Sequence, residues 1–136
     1  MNIILITNNR YVFNKYKDNY SILYNEDFTY MDILKLTRDK IHKGHLLLTH
    51  PLSGSIKPNE TPYKTIIISK GKGNIDSNSL NIIEESILTT RKFLENKITP
   101  KWSERVLDDF RVIDLSLIEN SIENSIEKSS NISKDS

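Results

Sequence analysis

The chain alternates short strand-like runs with longer segments of helical periodicity, and this alternation limits the possible folds more than any other feature. Strand-like runs occur at 2–7, 20–24, 45–49 and 64–69, and the first is almost continuously aliphatic. A continuous aliphatic run is typical of a strand that is buried on both faces of a sheet. Strands that alternate with helices favour a layered α/β domain.

Four segments have the spacing and the end signals of helices. They are 10–17, 29–43, 76–96 and a last helix that begins after Ser103. In the second of them Thr29 is a suitable N-cap, and Gly44 stands where a helix commonly ends. In the last helix the 3.6-residue spacing predicts an inward apolar face, formed by Val106, Leu107, Phe110, Ile113 and Leu117.

The order of these elements predicts a single three-layer α/β domain over residues 1–115, with a mainly parallel sheet of about four strands. The fourth strand follows the third without a helix, so it is either an antiparallel hairpin partner or a strand reached by an irregular crossover. Residues 116–136 are a low-complexity tail that we expect to be helical or disordered. The tail repeats a four-residue unit that begins at Ile118, Ile122 and Ile126, and these isoleucines are candidates for partner docking.

Composition excludes several kinds of protein. The chain has no cysteine, which excludes disulfides, a thiol nucleophile and cysteine-based metal sites. Its net charge of +1 gives no basic field for nucleic acid, and no apolar run is long enough to span a membrane. The three histidines, His42, His45 and His50, do not converge, so we expect no metal site and no cofactor. These features favour a cytoplasmic protein.

Two predicted strand ends carry polar residues that can hydrogen-bond a ligand. Thr7, Asn8 and Asn9 follow the first strand, and Thr49 with His50 follows the third. Ligands of open parallel sheets bind at the carboxyl ends of strands, close to the point where the strand order reverses. We therefore expect a binding site at this edge of the sheet.

The loop between the third and fourth strands is the second part of this candidate site. Ser53, Gly54, Ser55 and Lys57 are able to cradle an anion, because backbone amides, hydroxyls and an ammonium group then converge on it. Asn59 and Glu60 lie in the second half of the loop, and His50 with Glu60 would serve as a base and an acid in a small enzyme. The alternative is a connection whose glycine and prolines only set the turn geometry.

Residues 40–64, KIHKGHLLLTHPLSGSIKPNETPYK, closely resemble the signature of the GrdX family. The opening Ile-Thr-Asn-Asn at 6–9 and the run Ile-Ile-Ile-Ser-Lys at 66–70 are similar to that family too, and the resemblance covers residues 1 to about 95. It implies a small accessory protein encoded with the glycine, sarcosine and betaine reductase systems of amino-acid-fermenting anaerobic bacteria. It implies no catalytic residues.

The sequence therefore leads to three hypotheses about function. The first is a binding module that holds an anionic metabolite, such as acetyl phosphate or a nucleotide, at the loop after the third strand. The second is an assembly or maturation factor that docks to the reductase proteins. The third is a small acid–base enzyme, and the residues leave open whether the protein is catalytic. A loop of this length in a compact domain favours a functional role.

Overall fold

The computed structural model describes residues 2–52, 54 and 56–134, with residues 126–134 as backbone alone. Strands and helices alternate through most of this range. In chain order they are β1 (Ile3–Thr7), α1 (Arg10–Tyr16), β2 (Ser21–Tyr24), α2 (Tyr30–His42), β3 (His45–Leu47), β4 (Thr65–Lys72), α3 (Ser77–Asn96) and α4 (Glu104–Lys134). The α/β class predicted from the sequence is confirmed.

The four strands form one mixed sheet in the order β2-β1-β4-β3. Strand β1 pairs with β2 in parallel, but β4 is antiparallel to both β1 and β3. The prediction of a mainly parallel sheet is therefore wrong in this detail. The reason is that β3 and β4 are joined by a loop without a helix, so the chain turns back and β4 enters the sheet between β1 and β3.

The inserted strand still leaves three strands running in the same direction. Since β4 is antiparallel to both its neighbours, β1 and β3 point the same way, and β2 is parallel to β1. The carboxyl ends of β1, β2 and β3 therefore lie at one edge of the sheet, together with the first residue of β4, Thr65. This edge carries Thr7 and Thr49, as the sequence predicts.

Helices cover both faces of the sheet, which gives the predicted three layers. On one face, Ile33 and Leu34 of α2 and Ile83 and Ile87 of α3 pack on alternate residues of the central strands, including Ile66. On the other face, the core is formed by side chains of α1, α4 and the sheet, namely Val12, Ile118, Ile122, Ile3, Leu5 and Ile67. Burying both faces explains why the central strands read as continuous aliphatic runs.

The helices begin at residues whose side chains accept hydrogen bonds from free backbone N–H groups. Asn9 caps α1, and Asp76 caps α3. Thr29 and Asp32 form a reciprocal capping box at the start of α2. These contacts satisfy donors that have no partner within the helix, and the predicted N-cap at Thr29 is confirmed.

Helix α4 departs from the predicted apolar face after its first two turns: Val106, Leu107 and Phe110 are half-buried, but the face turned inward beyond them is a different one. Ile113 and Leu117 are 40% and 41% exposed. The buried residues of the helix share a second stripe, which consists of Arg111, Asp114, Ile118, Ile122 and Ser125. The inward face is partly charged because Arg111 and Asp114 take part in polar contacts at the sheet edge. None of the helices in the described range is both long and apolar enough to cross a membrane.

Candidate functional site

A hydrogen-bonded chain of polar side chains crosses the carboxyl edge of the sheet. Asp114 of α4 accepts hydrogen bonds at Oδ2 from the Asn9 side-chain amide at 2.9 Å and from the Thr65 hydroxyl at 2.7 Å. Since Thr65 gives its only hydroxyl proton to Asp114, the 2.6 Å contact between the threonines is a donation from Thr7 to Thr65. This chain joins β1, β4 and α4 at one point.

Asp114 and the neighbouring Lys64 are ionisable groups in a largely buried setting. Burial raises the pKa of the Asp114 carboxyl, and the hydrogen bonds from Asn9 and Thr65 offset only part of that effect. Burial also lowers the pKa of the Lys64 amine, against the opposing effect of the Asp114 charge. Both residues line two cavities of about 20 Å³ each, which is room for a single water molecule.

Asn8 holds the end of the long loop in place. Its side-chain amide donates to the carbonyl oxygens of Phe28 at 2.9 Å and Pro62 at 2.8 Å, and its side-chain oxygen accepts from the Lys64 N–H at 2.9 Å. Asn9 is used in a similar way, because it caps α1 and also donates to the backbone oxygen of Arg111. These two predicted site residues therefore have structural partners for their side chains.

Thr49 and His50 lie where strand β3 ends. The Thr49 hydroxyl accepts the Ile67 N–H at 3.1 Å and so continues the strand pairing by means of a side chain. His50 is exposed, and its Nδ1 accepts the Leu52 N–H at 3.1 Å. Both residues line one of the two small cavities, beside Lys64 and Asp114.

The first half of the loop lies over α4. Gly54 has a φ of +102°, and a Cβ atom at this position would lie 3.2 Å from Leu117 Cδ1. Glycine is suited to this place because it accepts the left-handed backbone without steric cost. The predicted anion-binding hydroxyls of Ser53 and Ser55 lie outside the described residues.

The second half of the loop forms one wall of a much larger cavity, which we call the loop groove. The loop groove has a volume of about 310 Å³. Its lining comes from the loop, the end of α3, the following connection and α4, namely Lys57, Asn59, Glu60, Phe93, Lys97, Pro100, Trp102 and Phe110. This volume lies at the lower end of the range of small-molecule sites.

Asn59 is the buried polar residue of the loop groove. It is 8% exposed, and its side-chain amide donates to the Lys97 carbonyl oxygen at 3.3 Å. Its Oδ1 atom is buried and has no hydrogen-bond partner among the described residues. A buried acceptor without a donor costs about 1–3 kcal/mol, so a ligand or water that supplies a donor would be favoured here.

Trp102 gives the loop groove a fixed aromatic wall. Its indole N–H donates to the Glu60 carbonyl oxygen at 2.6 Å, and its ring centroid lies 5.8 Å from that of Phe110. The hydrogen bond ties the α3–α4 connection to the loop. Lys57, Lys97 and Glu60 are all exposed, so the loop groove combines aromatic rings with a charged rim in which positive groups outnumber negative ones.

The predicted site residues are divided among separate places in the structure. Lys57, Asn59 and Glu60 come together in the loop groove, whereas Thr49 and His50 line a small cavity on another side of the loop. Thr7 and Asn9 are buried in the hydrogen-bonded chain. His50 and Glu60 share none of the described cavities.

Sequence reasoning missed the residues that come from outside the loop. Lys97 and Trp102 complete the loop groove, and Asp114 completes the polar chain. Trp102 had a visible signal, since it is the only tryptophan of the chain and follows Pro100 closely. Asp114 also had a visible signal in the sequence, because it interrupts an apolar helix at a position four residues after Phe110.

The isoleucines proposed for docking lie in the core or outside the described side chains. Ile118 and Ile122 are 4% and 5% exposed and pack against the sheet. The side chain of Ile126 is outside the described residues. Within the described part of the chain, no group of histidine and acidic side chains is arranged to hold a metal ion.

The fold and these cavities define a class: a small three-layer α/β protein with a mixed four-stranded sheet and a groove beside the long β3–β4 loop. The chain belongs to the GrdX-like protein family, whose model matches residues 4–123. The match confirms the resemblance carried by the loop, and it extends beyond the first 95 residues into α4. Searches of curated proteins and of solved structures gave no match.

Proposed function

We propose that this protein is an accessory protein of the glycine, sarcosine and betaine reductase systems, and that it binds a small anionic metabolite in the loop groove. Membership of the GrdX-like family supports the first part of the proposal. The geometry of the groove supports the second part. The proposal combines them as a binding module that acts beside the reductase proteins.

The loop groove itself, with two lysines at its rim and a buried asparagine in its lining, is the observation that carries the proposal. Asn59 lines the groove and its amide donates to the Lys97 carbonyl oxygen, while its Oδ1 atom is buried without a hydrogen-bond partner among the described residues. Buried acceptors are nearly always satisfied in folded proteins. A ligand N–H or O–H group would satisfy this one where binding brings Oδ1 into contact with the groove.

The charges and rings of the loop groove define the rest of the ligand. Lys57 and Lys97 place two positive charges at the rim, and Glu60 supplies one negative charge. The rings of Trp102 and Phe110 offer an apolar surface of fixed orientation. The ligand class is therefore a phosphate- or carboxylate-bearing metabolite that carries a flat or apolar part.

A calorimetric titration of the purified protein tests this proposal. Acetyl phosphate, AMP and inorganic phosphate are the probes, and the Lys57→Ala variant is compared with the wild type. We expect the tightest probe to lose at least about tenfold in affinity in the variant, which is about 1.4 kcal/mol of binding free energy. The free energy of unfolding should change by less than about 0.5 kcal/mol, because Lys57 is an exposed side chain.

Lys101→Ala is the matched control for this titration. Lys101 is an exposed lysine of the same α3–α4 connection, but it is not part of the groove lining. Its substitution should leave binding unchanged. Equal binding by the wild type and the Lys57→Ala variant would contradict the proposal.

Two other functions stay predictions. Docking to reductase proteins cannot use Ile118 and Ile122 in this fold, because both side chains are buried in the core. An acid–base reaction by His50 and Glu60 lacks a common cavity among the described residues. We therefore favour the binding module over both.

A further inference from the structure

A second cavity, which we call the switch-point crevice, lies at the carboxyl ends of the parallel strands β1 and β2. The chain leaves β1 for α1, which packs on one face of the sheet, and leaves β2 for α2, which packs on the other face. In open sheets such a divergence of neighbouring connections opens a crevice, and ligands bind there. The crevice has a volume of about 200 Å³.

The lining of the switch-point crevice carries charges of both signs. Its residues are Asn8, Arg10, Glu26, Asp27, Tyr63 and Arg111. None of them lines the loop groove. The two carboxylates follow β2, and the two guanidinium groups come from the start of α1 and from α4.

Arg111 is a fixed cation at the base of the crevice. Its side chain is 6% exposed, and its Nη1 atom lies 2.8 Å from Glu104 Oε1 and 3.6 Å from Asp108 Oδ1. The guanidinium also lies 5.1 Å from the centroid of the Tyr63 ring. Both carboxylate contacts use Nη1, and the Tyr63 side chain is a further hydrogen-bond partner of the guanidinium. The N–H groups that these partners leave are the ones that an oxyanion would use.

Arg10 lies closer to solvent and is less constrained. Its Nη2 atom is 3.8 Å from Glu104 Oε1, and its side chain is 44% exposed. The Asn8 side chain is already bonded to Phe28, Pro62 and Lys64. Recognition in the crevice therefore depends on its charged groups.

We propose that the switch-point crevice binds a small zwitterion of the amino-acid class. The oxyanion of the ligand pairs with Arg10 and Arg111, and its ammonium group pairs with Glu26 and Asp27. A simple anion would leave the two carboxylates without a counter-ion, and a simple cation would face the two guanidinium groups. The volume is below the range of about 300–1,000 Å³ that is usual for drug-sized ligands, so it suits a small molecule.

Titration of the full chain with the standard amino acids tests this proposal. The tightest amino acid is then compared with its analogue that lacks the amino group and with its analogue that lacks the carboxylate. We expect saturable binding of at least one amino acid and at least about tenfold weaker binding of both analogues. We also expect a loss of at least about tenfold in the variants Arg10→Gln and Asp27→Asn, which change exposed residues and so should stay folded.

Asp18→Asn and Lys57→Ala are the controls. Asp18 is an exposed carboxylate that is not part of the crevice, and Lys57 belongs to the loop groove. Both variants should bind the amino acid as the wild type does, whatever the loop groove binds. The proposal would be overturned by the absence of binding at about 10 mM of every amino acid. Equal binding of the anionic analogue, or unchanged affinity in both crevice variants, would overturn it too.

Discussion

Asp114 is the residue through which α4 joins the sheet edge. Its carboxylate accepts hydrogen bonds from Asn9 and Thr65, on β1's connection to α1 and on β4 respectively. The residues that it connects are 105 and 49 positions away in the chain. Local periodicity carries no information about such distant partners. For that reason it predicts an inward face through Ile113 and Leu117 rather than through Asp114.

The raised pKa of Asp114 predicts how stability depends on pH. Burial makes the carboxyl harder to ionise in the folded protein than in the unfolded chain, where its ordinary pKa is 3.8. Between these two pKa values the folded state binds more protons, so the free energy of unfolding rises as the pH falls through this window. The slope is at most about 1.4 kcal/mol for each pH unit.

Denaturant unfolding of the wild type and of Asp114→Asn at several pH values between neutral and about 4 checks this prediction. The variant cannot ionise at this position, so the wild type should gain stability relative to the variant as the pH falls. A difference that stays constant with pH would show that the Asp114 pKa is not raised. A loss of wild-type stability relative to the variant as the pH falls would show that the Asp114 pKa is lowered instead of raised.

The sequence predicts where α2 ends, but it does not predict the contact that the end of α2 makes with another element. A glycine at position 44 predicts the end of the helix, and Gly44 has the expected positive φ of +99°. Glycine is needed at position 44 for a second reason, because the backbone there lies close to another part of the chain. A Cβ atom at this position would lie 2.0 Å from the Gly73 carbonyl oxygen, beyond the end of β4.

Gly44→Ala should therefore destabilise the protein by at least about 2 kcal/mol, since it adds left-handed strain and a backbone clash. Gly71→Ala is the matched control. Gly71 has no positive φ, and a Cβ atom there would meet nothing within 4 Å. Urea unfolding of both variants checks the prediction, and a Gly44→Ala variant as stable as Gly71→Ala would contradict it.

For the whole molecule, the sequence predicts the layers better than it predicts the sheet order. Continuous aliphatic runs and helix caps depend on neighbours in the chain, and both are found in the structure. The position of β4 between β1 and β3 depends on pairing across the chain, such as Leu5 with Ile67. No short stretch of residues encodes that choice.

The loop groove is likewise a property of the whole chain. Lys57, Asn59 and Glu60 are recognisable from their loop, but Lys97 and Trp102 reach them only when α3 and α4 have packed. The sequence therefore predicts one side of the candidate site and not the other. The contact that closes the groove is the hydrogen bond from Trp102 to the Glu60 carbonyl oxygen.

The indole N–H resonance of Trp102 gives the most direct test of ligand binding in the loop groove. The chain has one tryptophan, so a ¹⁵N-labelled sample shows one such signal, from the wall of the groove. Titration with acetyl phosphate or AMP should move this signal in a saturable way in the wild type. The same concentrations should move it much less in Lys57→Ala. A signal that does not move with either compound, or that moves equally in both proteins, would contradict the account.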